Sequence, residues 1–137
     1  MLTEKELQFV KDTPLYRFAT STPDGKPHVV PMITRMEGDN IVVGGMHFDV
    51  SYKRRLIDRN EWVACVWDTS EGDPGSIKGV EVRGKLVPTG RKWDDSEYFI
   101  LTPTKVFSWG IEESPADSFR NKMNFDIEER EHEPTKR

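Results

Sequence analysis

Cysteine is nearly absent: Cys65 is the only one among 137 residues. One thiol closes no internal disulfide and supplies no cysteine-based zinc site. Nothing in the sequence approaches the ~18 consecutive apolar residues of a membrane-spanning helix. The opening stretch, MLTEKELQFV, lacks the apolar core of a secretion signal. A basic excess is missing too. Lys and Arg total 20 against 24 Asp and Glu, a net charge of −4, whereas nucleic-acid-binding domains carry a basic surplus. These absences lead to the expectation of a cytoplasmic protein with neither a nucleic acid nor a membrane as partner.

Catalytic signatures are equally sparse. There is no Gly-x-Ser-x-Gly, no Walker loop and no Gly-x-Gly-x-x-Gly. His28, His47 and His132 are far apart and have no ligand spacing with a cysteine or paired acids, so no metal site is expected. Cys65 lies inside the apolar run WVACVW and reads as a small buried hydrophobe rather than a nucleophile.

What is present fits one domain, residues 1–125, followed by a charged tail, 126–137. The tail, DIEEREHEPTKR, offers Ile127 as its one apolar side chain and has little to bury. Residues 3–12 read as a helix: Thr3 and Glu6 have capping-box spacing, Leu2 and Leu7 occupy the staple positions, and Pro14 stops it. Strands follow at Leu15–Ser21, His28–Met36 and Ile41–Gly45, separated by the turns around Asp24-Gly25 and Gly38-Asp39-Asn40, which together read as a β-meander. Ser51–Arg59 reads as a short helix, Trp62–Trp67 as a buried central strand, and Ile77–Pro88 as an alternating strand. Tyr98–Trp109 reads as a last long strand interrupted by Pro103. Six strands with short flanking helices indicate a mainly β, antiparallel barrel or sandwich.

Three places hold chemistry. Ser51, Lys53 and Arg54 sit at an expected helix start, where free N–H groups and two cations suit a phosphate or simply form a solvated basic face. Pro31 lacks the N–H that a central ladder needs, so its strand is an edge or its backbone lines a ligand groove. Trp109, just before Gly110, is either core or an aromatic wall against a flat ring.

The order of these pieces resembles the flavin-binding split barrels of the pyridoxamine 5′-phosphate oxidase-like superfamily. The matching segments are Phe18-Ala19-Thr20, Asp24 through Met32, Ile41 through Gly45, Ser51 through Leu56, Val80 through Lys85 and Val106 through Gly110. The resemblance spans residues 5–110. It implies a six-stranded antiparallel split β-barrel, a homodimer with cofactor sites at the interface, and a flavin-dependent oxidoreductase acting on a small-molecule substrate. It implies that Ser51, Lys53 and Arg54 hold the cofactor phosphate. The flat ring would lie along Val30, Pro31, Met32, Ile33 and Thr34 and along Gly44, Gly45 and Met46, with Trp109 closing the site. No catalytic acid or base is named by it. FMN is the expected cofactor, with the 8-hydroxy-5-deazaflavin coenzyme as the alternative, since its anionic tail would suit Arg54, Arg55 and Arg59. A non-catalytic flavin carrier is the other reading. A third branch of such barrels binds haem, for which His28 and His47 are the candidate ligands. Residues 111–137 lack the Arg-x-His motif of pyridoxamine 5′-phosphate oxidases proper, which puts that activity in doubt. Tyr52 stands where many relatives carry Arg, and Gly44-Gly45 replace larger residues facing the ring.

Overall fold

The computed structural model describes residues 1–44 and 62–112. The expected helix at Ser51–Arg59 and the tail at 126–137 lie outside the described residues. Helix α1 spans Glu4–Asp12. Its start is the capping box expected from the sequence: the Glu6 amide donates to Thr3 Oγ1 at 3.1 Å, and the Thr3 amide donates to Glu6 Oε1 at 2.9 Å. Glu6 spends its second oxygen on Ser108, whose hydroxyl donates to Oε2 at 2.5 Å. One carboxylate thus caps the helix and ties it to the end of the last strand, and Val10 on the same helix is fully buried.

Among the described residues seven strands follow: β1 (Leu15–Ser21), β2 (Pro27–Ile33), β3 (Arg35–Glu37), β4 (Asn40–Val43), β5 (Trp62–Thr69), β6 (Lys78–Trp93) and β7 (Ser96–Trp109). They form one antiparallel sheet in the order β2-β1-β5-β6-β7-β4-β3. The two edge strands, β2 and β3, are consecutive in the chain and meet at Thr34. The sheet therefore curls on itself, and one residue, not a ladder, joins its edges: this is a split β-barrel. Thr34 is well suited to that join. Its amide donates to Pro14 O at 2.9 Å, its hydroxyl donates to Thr13 O at 2.5 Å, and its Oγ1 accepts from Trp67 Nε1 at 3.0 Å.

Alternating side chains of the strands fill the interior. Tyr16, Phe18, Trp67, Val80 and Val82 are completely buried, and Val43, Phe99 and Leu101 complete the opposite wall. Tyr16 and Trp67 stack with centroids 4.7 Å apart. Cys65 is buried among them, and burial pushes its thiol far above its usual range, which agrees with a packing role.

Three expectations need correction. The single strand His28–Met36 is two strands broken at Thr34, so the described residues hold seven strands where six were expected. The first three strands are no meander: β1 and β2 form a hairpin, but the chain then crosses to the other edge of the sheet, where β3 pairs with β4. Residues 89–97, polar and outside the strands expected at Ile77–Pro88 and Tyr98–Trp109, belong to a long β6–β7 hairpin. Its tip is pinned to β3, because Arg91 reaches Glu37 at 2.7 Å, Arg91 Nε donates to Tyr98 Oη at 2.8 Å, and the Tyr98 hydroxyl donates to Glu37. Arg35 pairs with Asp94 at 3.1 Å and lies over the Trp93 ring. These contacts supply the order that local propensity does not. Pro103 falls beside an irregularity in register between Arg83 and Gly84, and β7 runs through it.

Candidate functional site on the outer sheet face

The same alternation that fills the core leaves a second face of the sheet outward, and that face is unusually apolar. Val29 is 62% exposed, Ile33 56%, Leu15 43% and Trp62 39%. The pairing registers arrange the outward residues in rows across the strands. Pro31, Arg17, Val66, Glu81 and Phe107 form one row; Val29, Ala19, Ala64, Arg83 and Lys105 form the next. Gly79 pairs with Trp109 at the far end of β6 and β7.

A cavity of 460 Å³ opens on this face, lined by Ala19, Ser21, Trp62, Ala64, Glu81, Arg83, Thr104 and Lys105, with Thr20 and Val63 behind them. Its volume falls within the ~300–1,000 Å³ of small-molecule sites. Ala19 and Ala64 are direct cross-strand partners, and because both side chains end at Cβ they leave a depression between larger neighbours. Arg83 is held from two sides. Its Nε donates to Glu81 Oε2 at 2.7 Å, and its guanidinium lies 4.6 Å from the Phe107 ring centre. Lys85 sits 4.6 Å from the ring centre of Trp62.

The residues named from the sequence are placed as follows. Val30, Pro31, Met32, Ile33 and Thr34 run along β2 and its end. Pro31 is on an edge strand, where its missing N–H costs no ladder bond. Pro31 and Ile33 are exposed; Met32 is 9% exposed and packs in the core cluster, and Thr34 is committed to Thr13 and Trp67. Gly44, just past β4, is pressed against Tyr98: an added Cβ would lie 2.9 Å from Tyr98 Cβ and 3.2 Å from its Cα. Trp109 is half-buried on the outward face, its ring crossing Gly79, where an added Cβ would meet Trp109 Cζ2 at 2.6 Å. Gly45, Met46, Ser51, Lys53 and Arg54 lie outside the described residues, as does His47. His28 is half-buried on β2, opposite Thr20.

The cavity itself was not foreseen. WVACVW reads as a strand buried on both faces, and β5 is indeed central, but its outward set, Trp62, Ala64 and Val66, is uncovered or half-covered. The available signal was the pair of alanines, Ala19 and Ala64, beside the Glu81-Arg83-Lys85 alternation. Only the register shows that they adjoin.

No known protein-family profile matches the chain. A curated reductase of Streptomyces rimosus subsp. rimosus, named for 5a,11a-dehydrotetracycline and 5a,11a-dehydrooxytetracycline, is 29% identical over 119 residues, covering 80% of this chain and 84% of the relative. Solved structures share the fold at lower identity. A haem-binding protein of Mycobacterium smegmatis superposes with a TM-score of 0.63 at 15% identity, covering 88% of this chain and 61% of that one. An FAD-binding protein of the same organism gives 0.58 at 16%, covering 77% and 92%. An F420 reductase gives 0.58 at 20%, covering 77% and 98%.

Proposed function

We propose that this chain, which has the split-barrel fold of the pyridoxamine 5′-phosphate oxidase-like superfamily, is a reductase of a small unsaturated organic molecule that works with a flavin-type cofactor at the interface of a homodimer. The observation that carries the reading is its 29% identity, over most of both chains, to a reductase. FMN is the favoured cofactor and the 8-hydroxy-5-deazaflavin coenzyme the alternative. The neighbours named for FAD and for F420 support the flavin class and not one member of it.

The described part of the site fits a flat ring. Pro31 and Ile33 offer exposed apolar surface beside one another on β2. Met32 and Thr34 face inward, so they contribute backbone only. A flavin or deazaflavin, when bound, supplies hydride transfer. The chain's share is to orient the ring with β2, to shield it with Trp109, and to anchor its phosphate through Ser51, Lys53 and Arg54. The homodimer reading draws support from Leu15, Val29 and Ile33, an apolar set too exposed for a comfortable monomer and suited to self-pairing across a two-fold axis.

The test is the absorption spectrum and mass of whatever copurifies, followed by titration of the stripped protein with FMN and with the deazaflavin coenzyme. One cofactor per chain, and oxidation of the reduced cofactor by a polycyclic enone, is the expected outcome. A haem Soret band, or no binding of either cofactor at micromolar concentration, overturns the reading.

A further inference from the structure

We propose that a second copy of this chain is locked onto the outer face by a reciprocal ion pair, Arg17 with the partner's Asp68 and Asp68 with the partner's Arg17. The pair rests on the homodimer reading above and fixes how the two copies are oriented. Arg17 stands within the apolar part of the face. Its cross-strand partners are Pro31 on β2 and Val66 on β5, and around them Leu15, Val29 and Ile33 are 43%, 62% and 56% exposed. Asp68 lies two residues beyond Val66 on β5, where strand alternation puts it on the same outward face. Both Arg17 and Asp68 are exposed. Among the described residues, no ion pair or hydrogen bond engages either side chain.

Charge complementarity selects a second copy as the occupant. A two-fold interface needs a self-complementary face, in which residue i meets j and j meets i. One unpaired cation and one unpaired anion, about 7–8 Å apart on a diagonal across β1 and β5, satisfy that condition. A two-fold axis that lies in the interface midway between them sets each against its opposite, and does so twice. The apolar residues fit the same axis. It runs along the other diagonal of this patch, close to Leu15 and Val66, so these side chains meet their own mates. Ile33, the cross-strand partner of Leu15, extends that apolar line. Apolar contact alone tolerates many orientations; two reciprocal charge pairs select one and disfavour a partner whose charges do not match. Asp68 is also the cross-strand partner of Gly79, over which the Trp109 ring lies. The partner's Arg17 therefore stands in the row of Trp109, and the second copy supplies a residue beside the proposed cofactor wall.

The test is sedimentation of the full-length protein and of two charge-reversed variants, singly and mixed in equal amounts, at physiological ionic strength. Arg17→Glu leaves two acids on the face, and Asp68→Arg leaves two bases. Both positions are exposed, and far-ultraviolet circular dichroism checks that each variant folds. Each variant alone sets like charges across the axis, so its self-association should weaken by at least about tenfold. Mixing the two should restore a dimer, because every acid then meets a base on the other chain. An Arg17–Asp68 pair within one chain predicts the reverse, since both variants lack it and mixing repairs nothing. Variants that dimerise as tightly as a dimeric wild type, or a mixture that stays monomeric, overturn the ion pair and leave the homodimer standing. A monomeric wild type at micromolar concentration overturns both.

Discussion

The indole of Trp67 stacks on the ring of Tyr16 in the sealed interior, with planes 24° apart, yet the two polar ends are treated differently. Trp67 Nε1 donates to Thr34, while the Tyr16 hydroxyl is buried without a partner. Burial above all, and then the nearby Cys65 thiol, push the Tyr16 phenol well above its usual range. Tyr16→Phe keeps the stack and removes the orphan. Stability by chemical denaturation should rise by about 1 kcal/mol. A loss of that size would show that the hydroxyl is satisfied by a buried water.

Thr34→Val should behave in the opposite sense. It keeps the shape of the residue that joins β2 to β3 but deletes the oxygen that accepts from Trp67 and donates to Thr13. A buried indole N–H is left without an acceptor, at a cost of about 1–3 kcal/mol. Urea midpoints of Thr34→Val and Thr34→Ser separate the two roles, since serine restores the oxygen and should recover most of the loss.

Alkaline pH should destabilise the protein, with the sign set by the buried thiol. Cys65 is held protonated in the fold by burial, whereas in the unfolded chain it ionises near 8.5. The unfolded state therefore binds fewer protons above that pH. The stability contributed is complete below about 8.5 and is lost as pH rises, at up to about 1.4 kcal/mol per pH unit. Tyr16 adds to the slope from about pH 10. Unfolding free energies between pH 8 and 10 should fall in wild type and fall less steeply in Cys65→Ala. Parallel slopes would show that the thiol ionises in the native state.

Much of this fold was legible because local signals and tertiary structure agree. The Thr3–Glu6 capping box, the Asp24-Gly25 turn and the alternation of Val80 and Val82 each carry their own instruction. The break at Thr34 does not. Nothing in VVPMITRME marks a strand end, because the cause is a set of bonds to Thr13, Pro14 and Trp67 from elsewhere in the chain. The hairpin tip at residues 89–97 is held by Glu37 in the same way. For the site, Pro31 announced the edge strand, and Trp109 before a glycine announced a strand end. The cavity was illegible since Ala19, Ala64, Arg83 and Lys105 become neighbours only through register.

Ile33→Lys tests the dimer. Ile33 is 56% exposed on an edge strand, so a charge there should leave the fold and melting of an isolated chain nearly unchanged, within about 0.5 kcal/mol. In a self-paired face the same lysine would meet apolar surface, and its two-fold mate, on every copy. Sedimentation should show dimer for wild type and monomer for Ile33→Lys. Wild-type monomer at micromolar concentration would remove the interface and, with it, the shared cofactor site.

Trp109 and Gly79 give the sharpest test of the outer face as a cofactor wall. The indole lies across Gly79 so closely that a methyl there would meet Cζ2 at 2.6 Å and the Trp67 carbonyl oxygen at 3.0 Å. Gly79→Ala must therefore displace the ring while removing no atom of Trp109. Trp109→Ala removes the ring altogether. If Trp109 were core, its loss would cost about 3–5 kcal/mol; on a half-covered outward face the cost should stay near 1–2 kcal/mol. Both variants should still fold, and both should bind flavin or deazaflavin several-fold more weakly, with altered cofactor fluorescence. The pairing of the two matters, because the glycine variant changes the position of the ring without removing it. Loss of affinity in Trp109→Ala alone would mean that the ring's presence counts and its placement over Gly79 does not. Unchanged affinity in both would take Trp109 out of the cofactor site and leave it as cover for the end of β6.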